Sequence, residues 1–125
     1  MTSLLIGANG LPMEKIMKYF GVTTAQEIFS PSPTLGYSGV TKCKFDGVGK
    51  RKVLDAMFGP SAKIGDCNNK LLVATTFDLK DQNPFIFTNV DKTKCNYLLR
   101  DIADASSAAP TLFPAVSQTK MNKKN

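Results

Sequence analysis

The chain contains no histidine and no tryptophan, and its only arginines are Arg51 and Arg100. Without histidine, it cannot assemble a Ser-His-Asp triad from its own residues. The three cysteines, Cys43, Cys67 and Cys95, are widely spaced and form no paired Cys-x-x-Cys motif, so the sequence does not indicate a zinc site. We expect free thiols in a reducing compartment, although the count is also compatible with one disulfide.

Long hydrophobic runs are also absent. The longest apolar stretches, such as residues 71–74, are far shorter than the roughly 20 residues needed to cross a bilayer. Residues 1–11 lack the basic leader and the extended apolar region of a signal peptide. We therefore expect a cytoplasmic protein that meets membranes only peripherally, at their surface.

Lysine supplies nearly all of the positive charge, and the chain carries a net charge of +6. The cations concentrate in two clusters: Lys42, Lys44, Lys50, Arg51 and Lys52, and then Lys120, Lys123 and Lys124. Lysines can attract the phosphates of nucleic acid or of anionic lipid. However, no segment interleaves them with aromatic residues, as a base-stacking surface requires. We interpret the clusters as solvated faces and expect no nucleic-acid partner.

The first part of the chain predicts short helices. With 125 residues, of which 42% are hydrophobic, the chain is long enough for one small domain. The small apolar stretch 3–10 is interpreted as part of a buried helix, and Pro12 as the first residue of the next helix. Gly21 is predicted to end that second helix, and Thr24 to cap a short turn that reaches Phe29. Apolar residues at helical spacing in the second helix are predicted to be core: Met13, Ile16, Met17 and Phe20.

Further along, two prolines and two glycines within residues 30–40 predict a surface loop. Asp46 is predicted to cap a helix that runs to about Phe58 and ends at Gly59-Pro60. Its buried face is predicted to be Val53, Leu54, Met57 and Phe58, with Lys50, Arg51, Lys52 and Asp55 largely toward solvent. The stretch 47–51, Gly-Val-Gly-Lys-Arg, lacks the glycine spacing and the Ser/Thr of a phosphate-binding loop, so we discount it.

The second half alternates strands and a helix. The apolar, β-branched run 71–79 predicts a strand covered on both faces, and residues 85–88 predict a second strand after a turn at 80–82. Leu98, Leu99, Ile102 and Ala105 form an amphipathic helical pattern that Pro110 ends. This alternation predicts an α/β domain. Residues 117–125 are a basic polar tail that we predict to be disordered.

Several of these segments, in this order, resemble the patatin-like phospholipases, a family of serine acyl hydrolases. Two matches are specific: Thr75–Leu79 with Pro84–Phe87, and Asp101–Thr111, which leads into Leu112-Phe113-Pro114. Weaker matches occur earlier, at Gly10–Ile16, Glu27–Phe29, Lys44–Gly47 and Val53–Gly59. The resemblance implies a patatin-like three-layer α/β sandwich over residues 1–116 that is incomplete at both ends.

The resemblance also implies a chemistry. Members of the family attack acyl esters with a serine in a Gly-x-Ser-x-Gly elbow. An aspartate in Asp-Gly-Gly or Asp-Gly-Ala partners that serine directly, and a glycine-rich loop stabilises the oxyanion. None of these three motifs occurs in the 125 residues, and Ser3 is followed by leucines where the elbow requires a glycine. We expect phospholipid or acylglycerol substrates for the family, but no turnover by this chain alone.

Residues within the chain do not replace the missing elements. Ser106 and Ser107 lie close to Asp104 on one predicted helix, which is not a strand-to-helix elbow. We interpret these residues as helix-end hydrogen-bonding groups, and Asp78 as a turn residue. No residue is nominated as catalytic, cofactor-binding or metal-binding. The alternative hypothesis is a non-catalytic module that binds an anionic membrane surface through its lysines, and a basic nucleic-acid protein ranks last.

Overall fold

The computed structural model describes residues 2–30, 43–67 and 70–117. The loop predicted over residues 30–40 and the tail predicted over 117–125 therefore lie almost entirely outside the described residues. The described part combines helices with a two-stranded antiparallel sheet, so it is a small mixed α/β fold. The elements are α1 (Thr2–Asn9), α2 (Met13–Lys18), α3 (Val22–Ile28), α4 (Val48–Phe58), a 3₁₀ turn (Ile64–Asp66), β1 (Val73–Asp78), β2 (Asn83–Thr88) and α5 (Leu99–Ser106).

The core lies where α4 and α5 pack together beneath the other helices. Its side chains with almost no exposure come from several elements: Leu5, Ile16, Leu54, Ile64, Leu99 and Ile102. Val53, Leu54, Met57 and Phe58 form the buried face of α4, as predicted. The helix ends at Gly59, whose φ of 79° is easily reached by glycine.

The first helices are less buried than their sequence pattern predicted. Pro12 immediately precedes α2, and its carbonyl accepts hydrogen bonds from the N–H groups of Lys15 and Ile16. Within α2, however, only Ile16 is buried. The prediction that Met13, Met17 and Phe20 are core is wrong, because each is more than half exposed. Helical periodicity identifies an apolar stripe, but a six-residue helix packed along one side covers only part of it.

Helix α3 begins earlier than predicted. Gly21 is its N-cap, and the Gly21 carbonyl accepts the first hydrogen bond, from Ala25 N–H. Thr24 therefore lies within the helix instead of capping it. Close contact between α3 and α4 depends on Gly49, since a Cβ there would approach the Glu27 carbonyl oxygen within 1.8 Å.

Strands β1 and β2 form an antiparallel hairpin around the predicted turn, with Thr75 opposite Ile86 at its centre. Asp78 serves the turn, as predicted: its carboxylate accepts hydrogen bonds from the N–H groups of Lys80 and Asp81. The inner face carries Leu72, Ala74 and Phe87, which are buried. Phe87 meets Phe85 and Tyr97 edge-on, at ring-centroid distances of 4.8 and 5.0 Å.

The opposite side of the hairpin is uncovered. We call it the open face, and it consists of Leu71, Val73, Thr75, Phe77, Leu79 and Ile86, all of which are exposed. The prediction of a strand covered on both faces is therefore wrong for the described residues. The run is apolar on both sides, as the sequence indicates, but α5 and the rest of the core cover only one of them.

Candidate functional site

Among the described residues, the buried polar side chains concentrate between α4 and α5. We call it the Lys50 cluster, and it consists of Lys50, Arg51, Asp101, Asp104 and Ser107. Lys50, Asp101 and Asp104 are each less than one-tenth exposed. The prediction that Lys50 faces solvent is wrong, because this face of α4 packs against α5 and the chain that follows α5.

The ammonium group of Lys50 is surrounded by acceptors. It lies 2.8 Å from Asp104 Oδ1. It also donates to the Asp104 carbonyl at 3.1 Å and to Ser107 Oγ at 3.4 Å. The Phe113 ring lies beneath it, with Nζ 4.2 Å from the centroid, an arrangement that contributes on the order of 1–2 kcal/mol when desolvated. An ammonium group has three protons, so these partners satisfy its donor capacity.

Both arginines of the chain lie in or beside this cluster. Arg51 forms ion pairs with Asp101 and, at 3.2 Å, with Asp104 Oδ2. Burial disfavours the charge on Arg51, but hydrogen bonds and attraction from Asp101 and Asp104 outweigh it and raise the pKa of the guanidinium. Arg100 connects the helices a second time, with Nη1 2.8 Å from Asp55 Oδ1. Three cations and three carboxylates thus balance in charge along the seam between α4 and α5.

The serines at the end of α5 hydrogen-bond backbone groups, in agreement with the sequence interpretation. Ser107 Oγ donates to the Ala103 carbonyl at 2.6 Å, within the same helix. Ser106 Oγ reaches across to the hairpin and donates to the Thr75 carbonyl at 3.0 Å. A serine nucleophile needs its proton directed at a base. Here the two hydroxyls direct their protons at carbonyl oxygens.

A small cleft of about 130 Å³ borders the Lys50 cluster. Its lining combines the start of α4 with the segment after α5: Asp46, Gly47, Lys50, Asp104, Phe113, Pro114, Ala115 and Val116. Asp46 accepts a hydrogen bond from Val48 N–H at 2.9 Å, so its carboxylate holds the first turn of α4, close to the predicted capping role. Gly47 is the residue at the N-cap itself. The cleft is too small to enclose a fatty acyl chain.

The segment after α5 is held against α4 by backbone and aromatic contacts. The N–H groups of Lys44 and Phe45 donate to the carbonyls of Thr111 and Leu112, at 3.0 and 2.9 Å. The rings of Phe29, Phe45 and Phe113 meet at centroid distances of 5.3 to 5.8 Å. The Lys50 cluster therefore has a positioning role, because it fixes the end of α5 and the segment 110–116 relative to α4.

Asn89 has a structural role that the sequence pattern did not predict. Its side chain donates to the carbonyls of Cys67 and Lys70 and accepts from Leu72 N–H at 2.9 Å. Asn89 therefore links the residue after β2 to the segment that leads into β1. The available signal was an asparagine directly after a predicted strand, where such side chains commonly bond to the backbone. The three cysteines are free thiols, and burial is the main cause that raises the pKa of Cys67.

Across residues 2–30, 43–67 and 70–117, no three metal-ligating side chains are grouped so that they could hold an ion. Within the same ranges, every helix is too short or too polar to cross a membrane. Comparison of the sequence with models of protein families finds no match, and comparison with curated proteins also finds none.

Proposed function

We propose that this chain is the central part of a patatin-like lipid acyl hydrolase domain, with phospholipids or acylglycerols as the substrate class. The proposal depends on the residues that carry the resemblance, above all Thr75–Leu79 with Pro84–Phe87, and Asp101–Thr111. The observation that best supports it is that these two segments lie in direct contact. Ser106 Oγ of the second segment donates to the Thr75 carbonyl of the first.

In this proposal the chain supplies a scaffold rather than the reacting groups. The family's serine elbow, oxyanion loop and partner aspartate would come from chain outside these 125 residues. The Lys50 cluster would hold the Ala-Ala-Pro-Thr-Leu-Phe-Pro segment, 108–114, in a defined position relative to α4. Positioning of this kind matters because displacement of a reacting group by about 1 Å can cost roughly 100-fold in rate.

A first test is the sequence of the native transcript through both ends of this reading frame. We expect an in-frame Gly-x-Ser-x-Gly upstream and an Asp-Gly-Gly or Asp-Gly-Ala downstream. A transcript whose reading frame ends at residues 1 and 125 would contradict the proposed catalytic function.

A second test asks whether this chain can act as the middle of a working enzyme. The upstream and downstream segments of an active patatin-like hydrolase would be fused to residues 1–116, and hydrolysis of a long-chain p-nitrophenyl ester measured. Turnover is expected, and it should disappear when the supplied serine is changed to alanine. In the matched control, a flexible linker replaces residues 1–116 between the same two flanking segments. A chimera that is folded by circular dichroism but inactive would contradict the proposal.

A second candidate function is a module that binds anionic membrane surfaces. One observation favours it: Met13, Met17 and Phe20 form an exposed apolar stripe on and after α2, beside the exposed Lys15 and Lys18. Apolar side chains next to lysines are typical of interfacial helices. We expect sedimentation with phosphatidylserine vesicles that weakens with salt and is lost in Met17→Glu. Equal binding to neutral vesicles, or none to either kind, would exclude this function.

A further inference from the structure

Under the proposed acyl hydrolase function, on which this inference rests, we infer that the Thr111 hydroxyl contacts the substrate. It donates a hydrogen bond to an ester or phosphate oxygen of the bound lipid. The backbone of Thr111 has a φ of 68°, in the left-handed region. For a β-branched residue this conformation is a genuine outlier, because the Cβ atom is crowded there. Among the described residues, Thr111 and Gln82 are the non-glycine positions with a positive φ.

Thr111 occupies the glycine position of a tight turn. Leu112 N–H donates to the Ala109 carbonyl at 3.2 Å, which closes a four-residue β-turn over 109–112. Pro110 is second in this turn, where its fixed φ is favoured, and Thr111 is third. Proline followed by a residue with positive φ is the pattern of a type II turn, whose third position normally requires glycine or asparagine. The chain therefore has a strained residue where an unstrained one is the rule.

Contacts on both sides of Thr111 hold it in this conformation. The Thr111 carbonyl accepts a hydrogen bond from Lys44 N–H at 3.0 Å, and the carbonyl that follows accepts one from Phe45 N–H at 2.9 Å. Immediately after the turn, the Phe113 ring is buried and packs against other aromatic rings. Backbone strain persists only where the surrounding structure over-determines it, and such places concentrate at active sites and ligand clamps.

Packing within the described part of the chain does not account for the Thr111 side chain. Thr111 is exposed, and so are its neighbours Pro110 and Leu112. A buried side chain can be retained for its core contacts, whereas glycine in this exposed turn would be free of strain. What threonine supplies is a hydroxyl on a rigid turn. Lipid esters and phosphates present oxygen acceptors, and a hydroxyl has one proton to donate to them. A polar group held in this way fixes the orientation of a bound ligand.

The first measurement is urea denaturation of the full chain, which tests whether Thr111 is strained. Thr111→Gly should lower the equilibrium constant of unfolding by about fivefold, because relief of the strain outweighs the greater freedom of glycine in the unfolded chain. Gln82→Gly is the matched control and should also stabilise, since it relieves the second positive φ, 53°, at an exposed residue of the hairpin turn. A destabilised Thr111→Gly would overturn the inference.

The second measurement is hydrolysis of a phospholipid and of a triacylglycerol by the chimera described above. Thr111→Val should raise KM by about tenfold with little change in kcat, because it removes a hydrogen bond to the bound substrate. Thr111→Ser retains the hydroxyl and should keep the wild-type KM, as should Gln82→Gly. A KM raised for both substrates places the acceptor on the ester. A KM raised for the phospholipid alone places it on the phosphate.

Two results with an active chimera would overturn the inference and leave the proposed function intact. One is a wild-type KM in Thr111→Val. The other is an equal rise of KM in Thr111→Val and Thr111→Ser, since the hydroxyl would then not be the group that matters. A folded chimera that is inactive with Thr111 in place would instead contradict the proposed function itself, and with it the substrate contact.

Discussion

At the scale of single residues, the main finding is that Lys50 is a buried ammonium group within a complete set of partners. It is 3% exposed and contacts Asp104, Ser107 and the Phe113 ring. A charge in such a place is stable only because those partners replace its hydration. The burial of Lys50 was not predicted from the sequence, because lysine is rarely buried and a cation on an amphipathic helix is ordinarily exposed to solvent.

We predict that Asp104→Ala lowers the free energy of unfolding by about 3–5 kcal/mol, since it leaves the Lys50 ammonium buried without its carboxylate. The double variant Lys50→Met, Asp104→Leu should recover most of that loss, because apolar side chains of similar size replace the pair. Urea denaturation measures both. Lys52→Met, at an exposed position of the same helix, should change stability by less than about 0.5 kcal/mol. An Asp104→Ala variant as stable as the wild type would show that the pair contributes nothing.

A second prediction concerns Asp91. Its carboxylate accepts hydrogen bonds from Thr93 Oγ1 at 2.6 Å and from Thr93 N–H at 2.9 Å, which together with the nearby Lys94 lower the pKa of Asp91. A lowered folded pKa means that the stabilisation is complete above the unfolded pKa of about 3.9 and is lost as the pH falls through the folded pKa. NMR titration of Thr93→Ala should show the pKa of Asp91 rising toward its ordinary value. An unchanged pKa would mean that Thr93 is not the cause.

At the scale of elements, the helices and the hairpin form where the sequence pattern indicates, but their neighbours decide which sides are buried. The run 48–58 forms one helix with the predicted apolar face, and Gly59 ends it. Strands β1 and β2 pair in a register centred on Thr75 and Ile86. By contrast, the stripe of Met13, Met17 and Phe20 has the correct spacing for a core helix and yet lies open, because spacing carries no information on what packs against it.

The packing of α3 on α4 yields a third prediction. Gly49→Ala normally favours a helix by about 0.5–1 kcal/mol. In this position the new methyl group would meet the Glu27 carbonyl at 1.8 Å, so we expect a net loss of about 1–3 kcal/mol instead. Val48→Ala is the control, since it adds the same residue to the same turn of α4 at an exposed position. If Gly49→Ala were stabilising in thermal unfolding, α3 would not pack closely on α4.

At the scale of the whole molecule, one small core supports two exposed apolar surfaces in the described part of the chain. The open face and the α2 stripe together expose several large side chains, whereas a chain of this length has only a modest core with which to offset the loss of conformational entropy. The exposed side chains of these two surfaces therefore contribute little to the free energy of folding of the chain by itself.

We accordingly predict that the chain by itself is only marginally stable, because its small core leaves the open face and the α2 stripe in contact with water. Urea denaturation followed by circular dichroism measures this, and we expect a low midpoint and a broad transition. A sharp, cooperative transition in an isolated soluble monomer would contradict the prediction.

The sequence by itself determined the local elements, because caps, glycine stops, alternation and helical spacing act between near neighbours. It also indicated the turn role of Asp78 and the helix-end role of Ser106 and Ser107. Only the tertiary structure decided that Arg51 and Lys50 meet Asp101 and Asp104, about fifty residues further along the chain. It also decided which apolar faces stay open. The physical reason is the same in both cases. Burial and ion pairing depend on which distant segments fill the space around a side chain, and a local sequence pattern contains no information about those segments.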